Sequence, residues 1–194
     1  MSRRSPQVIS DARAMRAMAH PLRIRLMELI VRDGEITATR AAELLGESPG
    51  NMSWHLQTLA KYGFVEEAGA GRGRSRPWRA VSRSHRFETG LATEPELASA
   101  GDALEQTFLA RNFDRLREWW SLRATYSKDW RRAAFINNSV SYLTPQELDA
   151  VSQEIVEIFR RFNERDDRDK RPEGAQPVYL YAHGHPLPPT PSGN

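Results

Sequence analysis

Apolar residues recur three and four positions apart through much of this chain. In the segment PLRIRLMELIVRD, residues 21–33, they are Leu22, Leu26, Leu29 and Ile30, a spacing that predicts a helix with one buried face. Pro21 suits its first turn, where a missing N–H does no harm, and Asp33-Gly34 stops it. Upstream, Asp11 to Ala19 reads as a helix with Ser10 as its N-cap. Downstream, EIT reads as one short strand, and Thr37 caps a third helix through Leu45 with Ala41, Leu44 and Leu45 facing inward. Gly46 is a C-cap residue, and Ser48-Pro49 is an N-cap and first-turn pair that opens a fourth helix. There Met52, Leu56 and Leu59 share one side, and Gly50, Trp54, Gln57, Thr58 and Lys61 lie opposite. Gly63 ends that helix. FVEEAGA and PWRAVSR then read as two strands around the turn GRGRS.

The second half is patterned differently. Residues 84–96 are polar, contain Pro95 and read as a linker. From Leu97 to Thr125 the period is helical, with Leu109, Phe113, Leu116 and Trp120 on one stripe and Leu97, Gly101, Phe108 and Trp119 on a second. Two stripes make a face wider than one neighbour requires; the expectation is that one packs on the N-terminal domain and the other on a second subunit, the alternative being that both serve a core within the chain. LTPQELDAVSQEIVEIFRRF carries a capping box, Thr144 with Glu147 after Pro145, and a stripe of Leu148, Val151, Ile155, Ile158, Phe159 and Phe162 expected to be buried. AAFINNSVSYL before it and PVYLYAHG after it read as strands, which predicts a strand–helix–strand unit. NERDDRDKRPEG is a solvated loop, and residues 183–194 form a frayed tail.

Helix, short glycine turn, helix is the helix-turn-helix arrangement, and a hairpin after it is a wing. The chemistry on the outer side of the fourth helix suits a major-groove reader. Gln57 can bond adenine edges, Trp54 offers apolar contact and Lys61 meets phosphate, while Asn51 and Ser53 near the helix N-terminus reach bases or backbone. Arg72, Arg74 and Arg76 fall at or near the wing tip, where glycine permits close approach to a duplex. Two other readings compete for that loop. GAGRGR begins like a dinucleotide fingerprint, but Arg74 replaces its third glycine and a strand follows where a phosphate cradle needs a helix N-terminus. A disordered basic linker conflicts with flanking strands that carry Trp78 and Val81. Charge agrees with the nucleic-acid reading. The net +3 divides into 15 Lys+Arg against 9 Asp+Glu in residues 1–90, and 13 against 16 in residues 91–194. A polyanion partner therefore suits the first half alone.

AHPLRIRLMELI, AAELLGESPGNMSWHLQTLAKYGFVEE and the glycine-arginine hairpin together resemble the winged helix-turn-helix of bacterial regulators of the arsenic-repressor (ArsR) type. The resemblance covers roughly Ser10 to Arg83 and rests on Ser53, His55, Leu56, Leu59, Gly63 and Val65, with HPLR upstream. It implies a homodimeric DNA-binding regulator, commonly a repressor released by an effector. Metal-sensing members place cysteines on the third helix; this chain has Ala41, Ala42, Glu43 and Leu44 there. His55 belongs to the pattern and is expected to be structural.

With 194 residues and no cysteine, the chain has room for one domain or two small ones and no thiolate chemistry, which fits a reducing cytosol. It has no apolar run of membrane-spanning length, and the N-terminus MSRRSPQVIS lacks the apolar core of a secretory signal. No nucleophile elbow, H-E-x-x-H or Walker loop supports catalysis. The expectation is a mainly α fold with small β content: a winged helix-turn-helix domain over 10–83, a helical dimerisation and effector-binding region over 97–182, and a tail over 183–194. Its partners would be double-stranded DNA, at Ser48, Pro49, Gly50, Asn51, Ser53, Trp54, Gln57, Thr58, Lys61, Arg72, Arg74 and Arg76, and a second copy, at Leu109, Phe113, Leu116 and Trp120. A small-molecule effector is a candidate for an aromatic pocket including Trp119, Trp130, Tyr142 and Tyr179, although these residues also suit a dimer core. No cofactor, metal or membrane is expected; His183 and His185 alone make no metal site. The alternatives are a winged-helix protein-interaction module, and a ligand-binding C-terminal domain with an appended winged helix.

Overall fold

The computed structural model describes residues 7–69, 76–82, 85–87 and 94–188. The chain divides into two compact units, Met1–Arg123 and Ala124–Asn194.

The first unit is a winged helix-turn-helix extended by a long helix. Its elements are β1 (Gln7–Ile9), α1 (Ala12–Met18), α2 (Pro21–Asp33), β2 (Glu35–Thr37), α3 (Ala38–Leu45), α4 (Pro49–Lys61), β3 (Val65–Glu67), β4 (Pro77–Ala80), β5 (His85–Phe87) and α5 (Pro95–Leu122). β2, β4 and β3 form an antiparallel sheet in that order, with Ile36 opposite Trp78 and Val65 opposite Ala80. β4 thus joins β3 to the short strand that precedes α3. The core beneath is tight: Met15, Leu26, Met52, Leu56, Leu59 and Phe64 are fully buried, joined by Ile30 and Leu104 at 1% exposure.

Local chemistry explains the boundaries. Asp11 caps α1 by accepting from the backbone N–H groups of Arg13 and Ala14, where Ser10 was the expected cap. A carboxylate also suits the positive end of the helix dipole. Thr37 Oγ1 accepts from Arg40 N–H at 3.2 Å and starts α3. Leu44 does not face inward as its spacing suggested. It is 38% exposed, and Ala38, Ala41 and Ala42 form the buried face of α3. Small side chains let α3 approach α4 closely.

Two elements of this unit have no counterpart in the sequence reading. β1 and β5 pair in parallel, Val8 beside Arg86, and β5 falls inside the stretch read as a linker. The long helix also starts earlier, at Pro95. Ala100, Gly101 and Leu104 bury its first half against the core that includes α1.

In the second unit, α6 (Lys128–Ala133) and α7 (Pro145–Arg160) are the helices, followed by short 3₁₀ turns. The capping box forms as expected: Thr144 Oγ1 accepts from Glu147 N–H at 3.3 Å, and Thr144 N–H donates to Glu147 Oε2 at 2.7 Å. The two flanking segments are not strands; residues 134–143 and 175–182 carry no ladder. The stripe on α7 is not buried either. Leu148 and Ile155 are half-buried, while Val151, Ile158, Phe159 and Phe162 are exposed by 36% or more.

Candidate nucleic-acid interface

The turn between α3 and α4 sets the angle of the outer helix. Gly46 adopts φ 72°, a left-handed conformation that costs glycine little and most residues more. Its N–H and that of Glu47 both donate to the Ala42 carbonyl, closing α3. Ser48 Oγ then accepts from Asn51 N–H at 3.1 Å, and Pro49 takes the first helical position of α4.

α4 has two faces. Met52, Leu56 and Leu59 are fully buried. Gly50, Gln57 and Lys61 are exposed, as is Trp54 at 57%, while Asn51, Ser53 and Thr58 are half-buried. One surface therefore gathers the amide, indole and ammonium groups expected of it. Two neighbours are already engaged: Asn51 Nδ2 donates to Glu47 Oε2 at 2.9 Å, and Thr58 Oγ1 donates to the Trp54 carbonyl at 2.9 Å.

A charged cluster supports this helix from below, and spacing alone did not reveal it. His20 is the N-cap of α2; its Nδ1 accepts from Leu22 N–H at 3.2 Å. Its ring lies 4.8 Å from that of His55, which in turn meets Trp54 edge-on at 4.8 Å. The Arg23 guanidinium carbon lies 5.9 Å from the Trp54 ring centre, within cation–π range. Arg23 is 8% exposed and His55 3%. Arg23 donates to the Arg16 carbonyl at 3.4 Å, while its Nε and His55 Nδ1 are buried without a hydrogen-bond partner. Burial first, and Arg23 second, lowers the pKa of His20. Burial lowers that of His55 as well, with His20 and Arg23 adding to the shift and Glu47 opposing it. Burial likewise lowers the pKa of Arg23, against the opposing influence of Tyr62. The Arg23 cation thus lies against the indole of Trp54, beside imidazoles whose charged forms burial disfavours. The HPLR run carried the signal, as an arginine at a position whose neighbours Leu22, Ile24 and Leu26 are all buried.

The wing stem is less cationic than its arginines suggest. Arg76 pairs with Glu67 at 2.8 Å and Arg79 with Glu66 at 2.9 Å. Arg72 and Arg74 lie outside the described residues.

α5 is tied down by charge as well as packing. Glu28 on α2 receives Arg111 at 2.8 Å and Arg115 at 2.5 Å, and Arg111 also reaches Glu118 at 3.0 Å. The hydrogen bonds that Arg111 donates to Glu28 are the main cause that raises its pKa. Beyond this clamp, Leu109, Phe113 and Trp120 are 38%, 59% and 51% exposed, and Leu116 is half-buried. The other stripe turns inward, with Gly101 buried and Leu97, Phe108 and Trp119 half-buried. A groove beside the clamp is lined by Arg25, Arg111, Asp114, Arg117, Glu118 and Ser121. Of the remaining residues suggested for an aromatic pocket, Trp130 is half-buried, Tyr179 is 51% exposed and Tyr142 is fully exposed. Among the described residues no group of three His, Cys, Asp or Glu side chains could hold a metal ion, and no helix is long and apolar enough to cross a membrane. The His183 and His185 rings lie 5.0 Å apart.

Residues 18–68 match the helix-turn-helix domain family HTH_20. No curated protein matches the chain. Two structures of Lactococcus lactis ZitR show a remote similarity to this chain. The C30AH42A mutant is 12% identical over 74% of this chain and 75% of that one, with a TM-score of 0.31. The same mutant in apo form is 15% identical over 74% and 82%, with a TM-score of 0.29. Likenesses this remote carry no argument about activity. The match over residues 18–68 spans α2 to β3 and coincides with the helix-turn-helix built above.

Proposed function

We propose that this protein is a DNA-binding transcriptional regulator, a homodimeric repressor in which α4 enters the major groove. The observation that carries the reading is the polarity of α4: Met52, Leu56 and Leu59 fully buried on one side, and Trp54, Gln57 and Lys61 exposed on the other. A helix of 13 residues is about 20 Å long, and the major groove, about 12 Å wide, admits it. Gln57 reads adenine, Trp54 packs on thymine methyls or sugars, and Lys61 meets phosphate.

The wing grips the backbone through Arg72 and Arg74, with Arg76 held partly in reserve by Glu67. Two copies joined along the exposed stripe of α5 read two half-sites one helical turn apart. The positive balance of residues 1–90 supports a polyanion at this end of the chain. The rival reading, a protein-interaction module, draws on the exposed indole of Trp54; Gln57 and Lys61 beside it favour nucleic acid.

The test is footprinting on the DNA upstream of the gene itself, followed by gel-shift titration of Gln57→Ala. The variant should lose about 1–3 kcal/mol on the protected sequence and little on random duplex. Equal loss on both would reduce Gln57 to a backbone contact. Absence of any protected site, with no preference among duplexes, would remove the regulator reading.

A further inference from the structure

We infer that Glu47, in the turn before α4, is a sequence-reading residue: its carboxylate, held by Asn51, accepts a hydrogen bond from the exocyclic amino group of a cytosine in the major groove. This role rests on the reading of α4 as the groove helix and adds a base contact at its N-terminal end.

The Glu47 backbone is anchored, since its N–H donates to the Ala42 carbonyl at 2.9 Å. The residue is exposed, and Asn51 Nδ2 donates to its Oε2 at 2.9 Å. Asn51, Trp54 and Thr58 follow one another at helical spacing along one line of α4. The bond to Asn51 sets the Glu47 carboxylate at the head of that line.

Its charge is also unlike that of its neighbours. Four carboxylates occur between residues 38 and 67. Glu43 pairs with Arg40 at 2.9 Å, Glu66 with Arg79 at 2.9 Å and Glu67 with Arg76 at 2.8 Å. Glu47 has no Lys or Arg partner among the described residues and is held by an amide instead, so its negative charge stays whole.

Beside a polyanion such a charge is repelled by every phosphate it approaches. On a base edge, only a hydrogen-bond donor offsets that repulsion. Thymine presents the acceptor O4, and guanine the acceptors O6 and N7. Adenine presents its amino group next to the acceptor N7, whereas cytosine presents an amino group with no acceptor of its own in the groove. The bond to Glu47 also commits an Nδ2 hydrogen of Asn51 and leaves its Oδ1 as an acceptor, so both side chains favour an amino-bearing edge. Glu47 therefore acts in two opposite directions. It lowers affinity for DNA in general and raises the preference for one sequence over the rest. A carboxylate here also suits the positive end of the α4 dipole, but that role concerns stability and is indifferent to DNA sequence.

The experiment uses the full-length chain as wild type, Glu47→Ala and Glu47→Gln, each checked for folding by circular dichroism; the near-isosteric Glu47→Gln keeps the test open if Glu47→Ala unfolds. Selection from a random-sequence duplex library gives the preferred site of wild type. Fluorescence-anisotropy titrations then compare that site, the same site with each C·G pair exchanged in turn for U·A, and a random duplex. In wild type one exchange should cost about tenfold in affinity. That cost should vanish in Glu47→Ala and shrink to about twofold in Glu47→Gln, whose amide offers donors as well as an acceptor. Both variants should bind the random duplex more tightly, by up to about fivefold. If every exchange costs the variants as much as wild type, or if neither variant gains on the random duplex, the inference fails and Glu47 only supports Asn51 or the helix dipole. In that case the regulator reading stands on the selected site. If wild type enriches no sequence at all, the regulator reading itself fails and takes this one with it.

Discussion

His85 gives the sharpest test of how the first unit is held together. It lies on β5 between Phe64, whose ring is 5.4 Å away, and Phe87 at 6.1 Å. Its Nε2 is buried without a partner. Burial holds its pKa at about 4, below the ordinary 6.5. The folded protein therefore keeps this imidazole neutral while the unfolded chain takes up a proton. Because the folded value is depressed, the contribution is fully present above pH 6.5 and is lost as pH falls from there toward about 4. With one pKa unit worth about 1.4 kcal/mol, lowering the pH from about 7.5 to about 5 should remove about 2 kcal/mol from this residue alone. His20 and His55 shift in the same direction and add to the loss. The perturbation is His85→Phe, which extends the aromatic cluster and removes the titrating group. Urea unfolding followed by tryptophan fluorescence, in wild type and variant at both pH values, isolates the term. The variant should lose about 2 kcal/mol less than wild type over that interval. If both proteins lose the same amount, His85 is either solvated or already protonated in the folded state, and the aromatic sandwich does not insulate it.

Other outcomes follow from the same geometry. Glu67→Gln frees Arg76 from its 2.8 Å pair and should raise affinity for all duplexes alike, with a steeper salt dependence by up to about one unit of slope. Unchanged fluorescence-anisotropy titrations across salt would place Arg76 outside the interface. Glu28→Gln removes the carboxylate that half-buried Arg111 and Arg115 share, while Arg111 keeps its pair with Glu118, and should cost about 1–3 kcal/mol in urea unfolding; a neutral result would mean that water already screens the clamp. Arg23→Met keeps most of the volume beneath Trp54 and removes the cation–π contact, so operator preference over random DNA should fall more than affinity for random DNA. Parallel loss on both would make Arg23 a packing residue.

The helix-turn-helix was readable because each boundary has a local chemical cause. Thr37, Gly46, Ser48 and Pro49 all act where their spacing placed them, and Met52, Leu56 and Leu59 fill the predicted face. The pairing of β1 with β5 was not readable. Each is three residues long, and parallel pairing between residues 7–9 and 85–87 leaves no periodic trace in so short a run. Leu44 misled for a related reason: hydrophobic character identified the stripe of α3, whereas close approach to α4 selected alanine for it. The cluster under α4 was hidden because Arg23 reads as the polar side of an amphipathic helix. On the C-terminal helix the spacing predicted a buried stripe that is in fact largely exposed, because burial depends on a neighbour and no pattern within one helix names it. The strand-like runs beside it fail for the same reason, since a strand exists only once it is paired.

α2 carries two attachments. Its N-cap and first turn bear His20 and Arg23, which touch His55 and Trp54 of the reading helix; its middle bears Glu28, held by Arg111 and Arg115 of α5. Eight residues, about 12 Å of helix, separate His20 from Glu28. This makes α2 a lever with one end under the groove-facing side chains and the other on the helix assigned to subunit contact. A displacement of α5 that kept the arginine clamp intact would be passed to α2, the helix whose first turn touches Trp54. In the proposed dimer, linkage would run both ways: whatever operator occupancy did to dimer strength, dimer strength would do equally to operator affinity.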